Sequence, residues 1–230
     1  MIEGLRHLLF PEVCVVCRKL LRDGEEYICP ECFGEFNPFP LSDAGGEALK
    51  RVVATHFGHQ AVPEEAWCLY PYHSGGNLHD AMHALKYGGI FPLGTLFGRL
   101  LGSVIAASGR PVGFDGIVPV PLHSLKNVER TYNQAEKIAE GVSGVLGTPL
   151  LPGVVERCRY TSSQTGLTSK ARSRNMAGAF RPGRRRCPDR VLLVDDVLTT
   201  GATLVSAAGA LRDAGASSVA FAVVALTGKD

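Results

Sequence analysis

Residues 191–203 restrict the possible folds of this chain more than any other stretch. They read Val-Leu-Leu-Val-Asp-Asp-Val-Leu-Thr-Thr-Gly-Ala-Thr. Four consecutive apolar residues, 191–194, suit a strand covered on both faces, the condition of a strand inside a parallel sheet. Asp195 and Asp196 then stand at its carboxyl end. A Thr/Gly-rich turn leads into a segment where Leu204, Ala207, Ala208 and Leu211 recur at helical spacing, and Gly215 stops it. A second apolar run, 218–225, follows, so strand, turn, helix and strand make one βαβ unit. Parallel strands need such a crossover, and the helix must layer onto the sheet. A further strand is expected at 116–120 and helices at 77–86, 94–107 and 133–146. The expected fold class is α/β, a parallel sheet with helices on both faces.

The turn after the first strand is suited to an anion. Residues 199–203 aim successive backbone N–H groups and the hydroxyls of Thr199, Thr200 and Thr203 at one point, and the helix start adds its partial positive charge. Gly201 keeps a Cβ out of the approach. A phosphate there repels carboxylates, so Asp195 and Asp196 are expected to accept hydrogen bonds from hydroxyl groups beside it. A sugar that carries a phosphate satisfies both halves. The bland alternative is an acidic strand end followed by an ordinary capped helix.

The front of the chain is of another kind. Cys14-x2-Cys17 and Cys29-x2-Cys32 are two knuckles that can offer four thiolates to one tetrahedral zinc ion. The ion supplies the folding free energy that so short a module lacks, which makes a structural role the simplest. Two redox dithiols are the competing reading. Cys68, Cys158 and Cys187 lack matching spacing and read as packing or surface thiols. The chain thus divides into a zinc-ribbon-like four-cysteine module over 1–40, a linker over 41–65 containing Gly45-Gly46 and Pro63, and the α/β domain over 66–230.

With 230 residues, 45% of them hydrophobic and 20% charged, the chain can bury a real core, which excludes disorder as its main state. No window reads as a membrane helix: the most apolar, 90–109, carries Pro92, Arg99 and four glycines. No secretory leader is visible, so a cytoplasmic location without membrane insertion is expected. The formal net charge of +2 is unevenly spread. Residues 157–190 hold ten basic residues against Asp189, whereas the rest of the chain carries fourteen basic and twenty-one acidic ones. An anionic partner is expected on that strip.

Three further segments lie beside these features. Residues 115–123 read Asp-Gly-Ile-Val-Pro-Val-Pro-Leu-His, which places a rigid loop beside the end of a parallel strand, where open α/β sheets bind ligands. Residues 130–135 read Arg-Thr-Tyr-Asn-Gln-Ala, with Asn133 suited to cap a helix. Residues 172–180 read Arg-Ser-Arg-Asn-Met-Ala-Gly-Ala-Phe, preceded by Gln164 in a polar run without periodicity. Lys86 closes a helix and either enters the site or answers the helix dipole.

Residues 191–203 closely resemble the phosphoribosyl diphosphate (PRPP) motif of type I phosphoribosyltransferases. The order of the knuckles, the three segments and this motif resembles the ComF family of competence proteins, and also the transferase half of glutamine amidophosphoribosyltransferases. Thr131 and Tyr132 stand where the family has Gly and Phe. The resemblance implies that Asp195 and Asp196 bind the ribose 2- and 3-hydroxyls and that Thr199, Thr200, Gly201, Ala202 and Thr203 bind the 5-phosphate. It implies a diphosphate loop at Pro121, Leu122 and His123, with His123 held only by backbone as the alternative. Lys170, Arg172 and Arg174 on the polar run would assist departure of the diphosphate, unless that run is merely a solvated basic loop. Mg2+ would accompany PRPP.

Arg184, Arg185 and Arg186 either coat the surface or follow a nucleic-acid backbone through sequence-blind phosphate contacts. The resemblance places the chain in natural transformation, handling single-stranded DNA beside a translocase ATPase. The alternatives are a non-catalytic phosphoribosyl or nucleic-acid binding protein, or an amidophosphoribosyltransferase-like enzyme of nucleotide metabolism. No acceptor is named by these residues.

Overall fold

The computed structural model describes residues 12–40, 43–109, 113–122, 132–158 and 178–228. In chain order its elements are α1 (Pro30–Gly34), α2 (Ala44–Phe57), β1 (Ala66–Tyr72), α3 (Asn77–Tyr87), α4 (Phe91–Ala107), β2 (Gly116–Pro119), α5 (Gln134–Leu146), β3 (Val155–Arg157), β4 (Phe180–Pro182), β5 (Arg190–Leu198), α6 (Ala202–Asp213) and β6 (Ser218–Thr227). Strands β1-β6-β5-β2 form, in that order, one parallel sheet. Leu150 extends the β2 edge through a parallel bridge to Ile117. β3 and β4 pair antiparallel as a separate ribbon.

The continuous apolar runs have a simple physical reason. Val191, Leu192, Leu193 and Val194 are all fully buried, because successive side chains point to opposite faces and both faces are covered. Val191, Leu193, Phe221 and Val223 pack with Leu49 and Val53 of α2 and with Leu204, Ala207 and Leu211 of α6. Leu192, Val194, Ala222 and Trp67 pack on the other side with Leu85, Phe97, Leu101, Ile138 and Val142 of α3, α4 and α5. The expected parallel sheet with helices on both faces is what the chain adopts.

Two expectations need correction. The first strand of the βαβ unit does not end at Val194. β5 runs to Leu198, because β6 is long enough to keep pairing with it, setting Asp195 opposite Val223 and Val197 opposite Ala225. The carboxylates therefore sit within the strand. The linker expected over 41–65 contains the fourteen-residue helix α2. Gly45 and Gly46 are not loosening residues but contact residues: a Cβ on either would fall on a β1 carbonyl oxygen, of Cys68 or of Ala66. Strand β1 itself carries no alternation and was not legible.

Glycines also decide the α4–α5 pair. Gly94, Gly98 and Gly102 lie on one stripe of α4 and face α5, where a Cβ on Gly98 would strike the Ile138 carbonyl and one on Gly141 would lie 2.7 Å from the Arg99 amide nitrogen. The stripe that argues against a stable helix in isolation lets two backbones touch. Gly98→Ala is expected to destabilise by about 1–3 kcal/mol through overpacking. Gly144→Ala, whose Cβ would meet nothing within 4 Å, should instead stabilise by up to about 1 kcal/mol. Urea denaturation of both variants checks the contrast.

Candidate functional site

The carboxyl ends of β5, β6, β1 and β2 define one edge of the sheet, and the chemistry-bearing residues gather there. Asp195 Oδ1 accepts the Asp196 N–H at 2.9 Å, and Asp196 Oδ1 accepts the Val197 N–H at 2.6 Å. These bonds fix the two side chains against their own strand. Burial, reinforced by the neighbouring Asp196 charge, raises the Asp195 carboxyl to about 7, although Lys86 and Arg157 draw it down.

Lys86 Nζ lies 3.1 Å from Asp196 Oδ2, both groups largely covered. The helix that brings it crosses the strand ends. At its beginning His79 meets Tyr72 of β1, ring centroids 6.0 Å apart, and at its end Lys86 reaches β5. Tyr72 feels the same charges: burial raises its phenol, Lys86 lowers it, and Asp196 and Asp80 raise it. Of the two readings of Lys86, entry into the site is the one the geometry takes.

Beyond Leu198 the chain turns sharply. Gly201 is left-handed, at φ 85°, and starts α6, a conformation that an L side chain adopts only with strain. Its missing Cβ would stand 3.1 Å from Val53 Cγ2, so α2 backs this turn. Thr200 is buried and its hydroxyl accepts the Ala202 N–H at 3.4 Å, while Thr199 is exposed. Ala202 and Thr203 open the helix. Beside the turn a cavity of about 510 Å³ is lined by Arg51, Thr55 and His56 of α2 together with Thr199, Thr200 and Thr227. Arg51 and His56 were hidden by the linker reading, and only the helical spacing of Leu49 and Val53 could have exposed them.

At the end of β2, Val120 donates its N–H to the Val194 carbonyl at 2.9 Å, and Pro121 and Leu122 follow, half-buried. Asn133 caps α5, accepting the Ala135 N–H at 3.2 Å and donating to the Val120 carbonyl at 3.0 Å. It thereby ties the helix start to the loop. His123, Lys170, Arg172 and Arg174 lie outside the described residues.

The cationic strip divides in space. Arg157, on β3, comes within electrostatic reach of Asp195; burial lowers its pKa and that carboxylate supports it. Arg184, Arg185 and Arg186 are exposed on the connection from β4 to the start of β5. β4 pairs with β3 and not with β5, so this connection leads from the ribbon to the main sheet. The five residue steps from Arg190 to Asp195 put about 17 Å of strand between the triplet's end of the sheet and the carboxylates.

The four-cysteine module rests against this assembly. The Sγ atoms of Cys14, Cys17, Cys29 and Cys32 all lie within 4.8 Å of one another, which positions them to hold a metal ion. Burial opposes ionisation of Cys14, yet N–H donors from Cys29, Cys17 and Val16 bring its thiol down to about 7. Burial and the three other thiols push Cys32 up. Crowded, partly buried sulfurs of this kind suit a thiophilic cation that displaces their protons. Phe36 of the module packs on Tyr70 and Phe97, and Asn77 at the start of α3 donates to Glu35 at 2.7 Å. Cys68, buried to a pKa of about 12, is a packing thiol. Among the described residues no helix is long and apolar enough to cross a membrane.

A family model described as a phosphoribosyl transferase domain matches residues 135–230. Competence protein F of Haemophilus influenzae is 30% identical over 214 residues, covering 90% of this chain and 93% of that protein. The DNA utilization protein YhgH of Salmonella typhi is 31% identical over 141 residues, 60% of this chain and 62% of its own length. The solved structure of the allosteric regulatory enzyme of purine biosynthesis aligns at 23% identity and a TM-score of 0.38, covering 58% of this chain and 25% of that one.

The raised Asp195 carboxyl sets a stability profile. The unfolded chain releases this proton near 3.8 and the folded chain near 7, so stability falls as pH rises through that window and stays lowered above it. Asp195→Asn, which keeps an acceptor oxygen, should melt several degrees above the parent chain above about pH 7. The difference should fade as pH falls below 3.8, where the unfolded state takes up the proton as well. Thermal melts across pH check this.

Proposed function

The chain belongs to the competence protein F (ComF) family, and from that membership we propose that it is a phosphoribosyltransferase-like protein of natural transformation that grips PRPP at the β5–α6 corner. The observation that carries the reading is the pairing of a carboxylate doublet with a left-handed glycine turn at the same sheet edge, with Lys86 already drawn onto Asp196. Asp195 and Asp196 accept the ribose hydroxyls. The backbone N–H groups of Thr199, Thr200, Gly201, Ala202 and Thr203 hold the 5-phosphate at the start of α6. Pro121, Leu122 and His123 receive the diphosphate, and Lys170, Arg172 and Arg174 neutralise it as it leaves.

In the transfer itself, the bond from the anomeric carbon to the diphosphate breaks with its electron pair on the diphosphate, and an acceptor nucleophile bonds to that carbon. The two carboxylates and the threonine hydroxyls form an oxygen donor set that suits a hard divalent ion, and Mg2+ carried in with PRPP would balance its diphosphate charge. Lys86 exchanges Asp196 for the incoming ligand. Zinc on Cys14, Cys17, Cys29 and Cys32 is structural, since four protein sulfurs leave no open coordination position. The protein works in the cytoplasm beside a translocase ATPase on incoming single-stranded DNA, which Arg184, Arg185 and Arg186 help to hold by its phosphates.

Titration calorimetry with PRPP and Mg2+ tests the site. Wild type is expected to bind, and Asp196→Ala to bind about 10–100-fold more weakly, the loss of charged hydrogen bonds. Absence of heat with the wild type overturns the reading. Pyrophosphate release that disappears with Asp195→Ala assigns a transferase, and binding without release assigns a ligand-holding protein. Metal analysis should find one zinc per chain. Stripping it with a chelator should raise proteolysis of the module, with cleavage in 12–36 checked by mass spectrometry.

A further inference from the structure

Helix α3 carries a row of rings that the PRPP reading does not use. Tyr72, His79, His83 and Tyr87 follow one another with centroid separations of 6.0, 6.4 and 4.8 Å, the middle pair stacked at 30°. The three helical members recur every fourth residue, so they share one face. That face is solvent-facing: His83 is exposed, and Tyr87, at 62% exposure, is among the most exposed large side chains of the described residues. Leu78, Ala81, Met82 and Leu85 on the opposite face fill the core, so burial of α3 does not require the rings. The row ends beside Lys86, one residue from Tyr87, where Lys86 meets Asp196.

We propose that this ladder is a base-stacking track for single-stranded nucleic acid, leading along α3 to the edge of the site. The proposal rests on the single-strand reading given above and adds base contacts on α3 to the phosphate contacts assigned there to the arginine triplet. The successive ring centroids stand between 4.8 and 6.4 Å apart, wider than the roughly 3.4 Å step of a duplex strand. They therefore suit a strand drawn out of its stacked form. Stacking on ring faces is indifferent to base identity, as a handler of arbitrary sequence requires. Histidine and tyrosine edges also tolerate water, unlike the aliphatic side chains of a protein-docking face.

The charges beside the ladder are committed. Asp80 engages His79 Nδ1 at 3.1 Å, and Lys86 engages Asp196. Affinity on this face therefore comes from base stacking, whereas the arginines 184–186, at the opposite end of the sheet, supply salt-dependent phosphate attraction. The two contributions separate experimentally.

Fluorescence anisotropy with a labelled oligothymidylate and an abasic oligomer of equal length makes the test. The double variant His83→Ala/Tyr87→Ala is expected to bind oligothymidylate at least about 10-fold more weakly. Its slope of affinity against salt should be unchanged, and its abasic and PRPP binding should equal wild type. Tyr87→Phe, which keeps the ring, should bind as wild type. Charge reversal of Arg184, Arg185 and Arg186 should flatten the salt slope. Undiminished oligothymidylate binding by the double variant, or an equal loss on the abasic strand, overturns the ladder while the single-strand reading stands. Failure of the wild type to bind either oligomer overturns both.

Discussion

Two adjacent carboxylates inside a buried strand create the electrostatic problem around which the rest of this structure is arranged. Asp195 and Asp196 repel each other, and their partial burial at the sheet edge adds to that cost. The molecule answers in two ways. Lys86 closes on Asp196 from a helix far earlier in the chain, and Arg157 approaches Asp195 from β3. Even so, Asp195 holds its proton to about 7. Such unresolved cost marks sites where stability is given up for ligand recognition, because ligand hydroxyls can do for these oxygens what the fold alone does only in part.

The answer from Lys86 depends on α3, and α3 depends on its supports. Its first turn is tied to Glu35 at the end of the four-cysteine module, and that module sends Phe36 into the cluster formed by Tyr70 and Phe97. A module with this little apolar substance cannot hold such a position by burial alone, so four sulfurs around one ion would do it. On the same face the α4–α5 pair approaches backbone to backbone through glycines, packing the layer tightly over Ile117, Leu192 and Val194. The four-cysteine module thus supports the helix whose Lys86 meets Asp196.

Charge that is contiguous in sequence is not contiguous in space. β3 and β4 run antiparallel, so the strip 157–190 leaves Arg157 near the carboxylates and Arg184–Arg186 at the far end of β5. Among the described residues of the strip, Arg157 and the arginine triplet thus stand at different ends of the sheet. The ring ladder of α3 is the reverse case, assembled across one helix and the end of β1 at the site's own end of the sheet.

How much was legible depended on how local the encoding is. Residues 191–203 specified strand, carboxylates, turn and helix because the motif is contiguous, and the four cysteines declared themselves by spacing alone. Asn133 announced its cap for the same reason. The sequence could not show that Asp195 and Asp196 remain in the sheet, since that depends on how far β6 runs beside them. It could not show α2, because Gly45 and Gly46 look like slack until the β1 carbonyls stand where their Cβ atoms would be. Nor could it bring Lys86 to Asp196, a pairing decided only when α3 crosses the strand ends. Short-range pattern writes the elements; close approach and the need to neutralise buried charge, both properties of the assembled chain, decide which residues meet.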